Sequence, residues 1–161
     1  MKKLLAILLT LCMVFTMMPI TASAESAVVT RGTCGDNLTW VLTEDGTLTI
    51  SGTGEMYDFT GSTQPWEDYT QDITAVVIED GATSVGNYAF FHGYDIASVT
   101  LPDSVKTIGT NAFFYCRSLN AIQLPAELTT IGDYAFGSCY ALEEADLPAK
   151  LVTIGKTAFS G

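Results

Sequence analysis

Thiols, a single imidazole and neighbouring carboxylates are the groups in this sequence that could do chemistry. The 161-residue chain has four cysteines and one histidine. A Cys/His nucleophile needs the imidazole beside the thiol and a third group to orient it. His92 lies 24 residues before Cys116, and nothing near either supplies an oxyanion hole or a third group. Glycoside hydrolysis needs two carboxylates, and Glu67 with Asp68 could be drawn as such a pair. Adjacent acids are expected without catalysis where 18 Asp and Glu stand against 7 Lys and Arg. Zinc would need a C-x-x-C pair or clustered histidines, and neither is present. Phosphate-loop, dinucleotide and EF-hand patterns are absent too. The residues thus assign no catalytic centre, no metal and no cofactor.

The elements that position these side chains come from a repeat. A 23-residue unit recurs as 73–95, 96–118, 119–141 and a shortened 142–161. One such unit cannot bury its apolar face alone, so neighbours must stack. Ile73, Ile96, Leu119 and Leu142 open the units. Val76, Val99, Ile122 and Ala145 follow, then Ile78, Leu101, Leu124 and Leu147. This L-x-x-L-x-L spacing is the leucine-rich-repeat signature, and its last two positions have the period of a strand with one buried face. Pro102, Pro125 and Pro148 then stop the strand, because proline donates no hydrogen bond.

The second half of each unit has its own register. Gly86, Gly109, Gly132 and Gly155 are invariant among the copies, which implies either a positive φ or close backbone approach. Ala89-Phe90, Ala112-Phe113, Ala135-Phe136 and Ala158-Phe159 follow. The small Ala should seat a short helical or 3₁₀ turn, and the Phe should fill the coil as a core column, not a ligand box. The expected fold is a β-rich repeat solenoid, with a short strand and a short helical turn per coil.

The pattern LP-x-x-L-x-x-IG-x-x-AF-x-x-C-x-x-L over 73–161 resembles the BspA-like bacterial leucine-rich repeats. The stretch GTCGDNLTWVLTEDGTLTISGTGEMYDF, followed by PWEDY, is similar to the module that precedes such repeats in many secreted proteins. The resemblance implies a right-handed solenoid at or outside the cell surface, with roles in adhesion and protein binding. It brings no catalytic residues. Two departures stand out. The first copy has Glu79 and Gly93 where Pro and Cys are expected, and the fourth stops at Gly161, three residues short of a unit.

Residues 1–24 read as a secretory signal peptide. Lys2 and Lys3 precede an apolar run from Leu4 to Met18, and Ala22-Ser23-Ala24 is a small-residue cleavage site before Glu25. The run is too short and wrongly flanked for a stable membrane span. Leu11 before Cys12 argues against lipidation, which usually wants a small residue there. Cleavage after Ala24 would leave 137 residues with 5 basic and 18 acidic side chains, a formal charge of −13. Such acidity argues against nucleic acid as a partner and permits a basic one.

Residues 25–72 read as an N-terminal β cap. Thr39 to Thr43 and Thr47 to Ser51 are strand-like, joined by Glu44-Asp45-Gly46 as a hairpin turn. Solenoids need an atypical terminal unit, and Trp40, Leu48 and Ile50 could cover the open core. Residues 52–65 are loop-like, with Gly52, Gly54, Gly61 and Pro65. Trp66 is favoured as a packing plug over an exposed sugar platform. Cys116 and Cys139, one repeat apart, should stack about 4.8 Å apart with parallel side chains. That favours a buried free-thiol ladder over a disulfide.

A surface remains as the candidate site. Outward positions of the opening strands are Thr74, Val77, Ser98, Thr100, Asn120, Gln123, Glu143, Glu144 and Asp146, with small Ala75, Ala97 and Ala121 between them. Side by side they would form a concave sheet grading from neutral to acidic, a face that solenoids use for binding. The reading is a secreted or cell-surface, non-catalytic module for protein or surface recognition, its partner favoured to carry basic residues near the fourth coil. The alternatives are carbohydrate binding through Trp66, Tyr57, Tyr69, Tyr94, Tyr115 or Tyr140, and an accessory scaffold of a larger surface protein. The fourth coil should expose an apolar end, to be covered by further chain or by another molecule.

Overall fold

One-sided apolar alternation builds the first strands of the computed structural model, which describes residues 26–161. The signal-peptide segment and its cleavage site lie outside the described residues. β1 (Val28–Thr33), β2 (Leu38–Thr43) and β3 (Thr47–Gly52) pair antiparallel in sequence order. β2 buries Leu38, Trp40 and Leu42, and β3 buries Leu48 and Ile50. The strand segments expected at 39–43 and 47–51 lie within β2 and β3. β1 has no counterpart in the sequence reading, since its first two residues, Val28 and Val29, are both exposed and give no alternation.

Six shorter strands follow: β4 (Ala75–Ile78), β5 (Ser84–Val85), β6 (Ser98–Thr100), β7 (Thr107–Ile108), β8 (Thr130–Ile131) and β9 (Thr153–Ile154). They form two sheets. The first has the order β1-β2-β3-β4-β6, and the second β5-β7-β8-β9. The repeat strands pair in parallel one unit apart, as in Val76 with Val99 and Val85 with Ile108, Ile131 and Ile154 in turn. β3 joins them by parallel pairing of Leu48 with Val76 and Ile50 with Ile78.

The opening strands are shorter than the repeat suggests. In the first coil Glu79 replaces proline, and its N–H donates to the Ile50 carbonyl at 2.9 Å. That extra donor lets β4 run to Ile78. In the second coil β6 stops at Thr100, ahead of Leu101 and Pro102. Residues 119–124 and 142–147 form no strand, so the four-strand opening sheet is not present. The sheet that does run through all four coils is the second one, on the Thr-Ile-Gly side.

The glycines explain why that side is tight. A Cβ at Gly109 would lie 2.6 Å from the Asn87 nitrogen, and one at Gly132 2.6 Å from the Thr110 nitrogen. Close approach of adjacent coils, not φ, therefore fixes these glycines. Positive φ falls two residues later instead, on Tyr88 (55°), Asn111 (53°), Tyr134 (54°) and Thr157 (57°), and again on His92, Tyr115 and Ser138. Consecutive i→i+3 turns result, such as Ala89 N–H to Gly86 O and Gly93 N–H to Phe90 O. Left-handed residues cannot continue a right-handed helix. The expected helical turn per coil is thus replaced by these turns. Among the described residues the 3₁₀ helix is Glu67–Tyr69, ahead of the first repeat.

The core is a column of rings. Phe90, Phe113, Phe136 and Phe159 stack at 5.2, 5.3 and 5.1 Å between centroids. Trp66 continues the column onto Phe90 at 5.4 Å and donates its indole N–H to the Ala89 carbonyl at 3.0 Å. It is 2% exposed, which matches the packing reading and removes Trp66 as a sugar platform. At the other end burial lapses: Leu147 is 53%, Ile154 48% and Phe159 38% exposed.

Candidate functional site

On the opening face the backbone alternation sends every second side chain out. Thr74, Ser98, Thr100, Asn120, Gln123, Glu143, Glu144 and Asp146 are exposed, and Val77 is half-buried. Behind them Val76, Ile78, Val99 and Ile122 are buried and hold the register. Pairing aligns Ala75 with Ser98 and Val77 with Thr100 on the first two coils. The third and fourth coils present their residues from extended segments without strand pairing.

This difference divides the acidic end. Gln123 and Asp146 share the wall of a groove of about 760 Å³ that runs along the proline turns of the second to fourth coils. Lys150 and Glu127 pair across the same groove at 2.6 Å. Glu143 and Glu144 instead edge a separate cavity of about 280 Å³, floored by Phe136, Leu142 and Phe159. Asp146 thus lines a different groove from Glu143 and Glu144.

The groups with possible chemistry are placed apart or spent on structure. All three described cysteines are buried free thiols. The Cys116 thiol donates to the Phe90 carbonyl at 3.4 Å, and the Cys139 thiol to the Phe113 carbonyl at 3.2 Å. Each thus ties its coil to the one before. Burial pushes the Cys34 thiol up to about 12 and Cys139 to about 11, and raises Cys116 well above its ordinary value. A protonated thiol is a poor nucleophile. His92 stacks on Phe91 at 3.9 Å and on Tyr94 at 5.3 Å, and burial lowers its pKa. Among the described residues no hydrogen bond joins it to Cys116.

The aromatic candidates differ in what they offer. Arg117 lies 4.9 Å from the ring centroids of both Tyr94 and Tyr115, so with His92 it occupies the faces of Tyr94. Tyr69 packs against the core. Tyr140, 62% exposed, and Tyr57, 47% exposed, keep open rings. Tyr57 is also tethered, its hydroxyl donating to Asp36 Oδ1 at 2.7 Å. That bond, first among the causes, raises the Tyr57 pKa. The sequence reading missed this tether, since the partners are 21 residues apart and no spacing rule links them.

The family model described as the BspA type leucine rich repeat region matches residues 68–161 in six copies. The chain belongs to this family. Leucine-rich repeats of this kind are typically non-catalytic binding scaffolds, and the proteins that carry the BspA type are typically secreted or on the cell surface. Three solved leucine-rich repeat structures are similar to the chain. One, from Eubacterium ventriosum, is 30% identical with a TM-score of 0.68, covering 83% of this chain and 36% of that one. A second, from T. pallidum, is 24% identical with a TM-score of 0.60, covering 80% and 66%. A third, from Bacteroides ovatus, is 24% identical with a TM-score of 0.52, covering 78% and 37%. The chain thus spans about a third of the Eubacterium protein's length. Among curated proteins no match is found. No helix among the described residues is long and apolar enough to cross a membrane.

Proposed function

We propose that this BspA-type chain is a secreted or cell-surface recognition module that contacts a protein through its opening face. Thr74, Val77, Ser98, Thr100, Asn120 and Gln123 form the neutral part of that face, and Glu143, Glu144 and Asp146 its acidic end. The observation that carries the reading is the outward display of small and polar side chains over buried Val76, Val99 and Ile122, held in strand register on the first two coils. Repeat arrays use such displays because adjacent coils present side chains at fixed spacing to an extended partner. The acids favour a basic contact at the fourth coil, through steering more than raw affinity.

Two further elements belong to this proposal. Residues 1–24 direct export and are removed after Ala24, and the mature protein then begins at Glu25. Residues 25–72 act as the terminal unit of the solenoid, supported by the parallel pairing of β3 with β4 and by Trp66 covering Phe90.

The test is a binding screen of the purified protein against matrix proteins and bacterial surface extracts, at low and high salt. A salt-sensitive protein hit is expected. Reversing charge at Glu143, Glu144 and Asp146 together should weaken it and flatten its salt dependence. Unchanged affinity and unchanged salt dependence would remove the acidic end from the interface.

A further inference from the structure

Away from the opening face, a groove of about 600 Å³ lies between the loop after β3 and the start of the second sheet. Its walls include Asp36, Asn37, Glu55, Tyr57, Asn87 and Thr107. Residues 55–59 have no regular secondary structure, yet they are held from both sides. The Met56 N–H donates to Ser84 Oγ at 3.1 Å, Tyr57 N–H to the Cys34 carbonyl at 2.8 Å, and Phe59 N–H to the Asn87 carbonyl at 2.9 Å. Asp58 Oδ1 accepts the Asn87 N–H at 2.8 Å. Met56 is buried beneath the segment as its anchor. The Tyr57 ring stands out of this braced loop, and its hydroxyl is fixed by Asp36.

Such bracing has a consequence for binding. An exposed aromatic on a free loop would lose rotamer freedom on contact, whereas a tethered ring has already lost it. Asn37, Glu55 and Thr107 are exposed on the walls of the same groove, supplying an amide, a carboxylate and a hydroxyl. The apolar wall residues Met56 and Val85 are buried, so the groove offers no pocket for the apolar anchor that a protein hot spot uses. No lysine or arginine lines it, and Asp36, Glu55 and Asp58 would repel an anionic ligand.

We infer that this groove binds a neutral glycan, with Tyr57 as the stacking ring and Asn37, Glu55 and Thr107 as hydrogen-bonding partners for sugar hydroxyls. A pyranose has an apolar C–H face and a polar hydroxyl rim. An aromatic face beside planar amide and carboxylate groups complements both at once. The open groove suits an internal stretch of a chain more than an enclosed end unit. The site is separate from the opening face, so its failure leaves the protein-recognition proposal standing.

Affinity electrophoresis of the whole purified protein tests this, in gels containing soluble neutral polysaccharides: a β-glucan, an α-mannan and a galactan. Retardation by at least one is expected, and it should persist at high salt because no charge pair is involved. Tyr57→Ala should lower affinity roughly tenfold or more, the loss expected for truncating an aromatic hot spot. Asn37→Ala should weaken binding less, and Tyr140→Ala should leave it unchanged. Circular dichroism of each variant checks that the fold is retained. Absence of retardation by every polysaccharide would overturn the inference, as would binding that survives Tyr57→Ala or disappears in salt. Loss of binding on Glu143→Lys, with Tyr57→Ala silent, would move the contact to the opening face.

Discussion

Gly132 and Thr157 show how a repeat can hide its backbone demands. The invariant glycine marks a site with no room for a Cβ, because its own backbone lies against the previous coil. The left-handed conformation two residues later carries no glycine at all: Tyr, Asn, Tyr and Thr occupy it in turn. Thr157 is the poorest of these, since a β-branched side chain at φ 57° is strained and asparagine tolerates that region. Thr157→Asn should therefore raise stability by roughly 0.5–1 kcal/mol, while Gly132→Ala lowers it by more than about 1 kcal/mol. Thermal unfolding of the two variants should move in opposite directions. The thiols make a second prediction at this scale. Their folded pKa values are raised, so above the ordinary value of 9.0 the unfolded chain releases protons that the folded chain keeps. Unfolding then becomes easier as pH rises. The thiol contribution is intact below about pH 9 and is lost progressively through about 11 for Cys139 and about 12 for Cys34. Replacing Cys34 and Cys139 with alanine should flatten the alkaline fall in Tm relative to the parent.

At the level of elements, legibility followed the strength of local pattern. The Phe column, the buried alternation in β2 and β3, and the packing role of Trp66 were readable, because apolar residues at fixed intervals have one economical arrangement. The second sheet was not. Its strands are two residues long, and a period cannot be read from two residues. The helical turn was misjudged because Ala-Phe suggests helix, whereas the chain turns through left-handed residues that carry no glycine. The opening strands of the third and fourth coils were expected from L-x-x-L-x-L alone, but apolar spacing secures burial and does not secure ladder hydrogen bonds. The candidate face was legible as exposure, and the division of its acids between two cavities was not. Trp66 offers the test of how the first element meets the repeats. Trp66→Ala should cost roughly 3–5 kcal/mol, since it bares a face of Phe90 and strands the Ala89 carbonyl. Trp66→Phe keeps the stack and forfeits only the hydrogen bond, so it should cost clearly less. Equal losses in the two variants would show that ring stacking across this junction contributes little.

The whole molecule is governed by an imbalance of charge against a core that grows one coil at a time. Eighteen acidic side chains face seven basic ones, and the described residues hold a single ion pair, Lys150 with Glu127, at the surface. Exposed pairs of this kind contribute little, about 0–1 kcal/mol. Repulsion among the acids is therefore the larger electrostatic effect on folding, and it acts against the compact state. Salt screens it, with a Debye length of about 10 Å at 0.1 M. Raising sodium chloride from low to physiological strength should raise Tm, by about 2–4 °C if roughly 1 kcal/mol of repulsion is screened. A protein held by ion pairs would respond in the opposite sense. Because each coil contacts only its neighbours, relief of repulsion should be felt most where packing is thinnest, at the fourth coil with its exposed Leu147, Ile154 and Phe159. Hydrogen exchange read coil by coil would locate it: added salt should protect the amides of 142–161 more than those of 96–118. A uniform response along the chain would mean that the coils unfold as one unit and that the acidic end has no local cost.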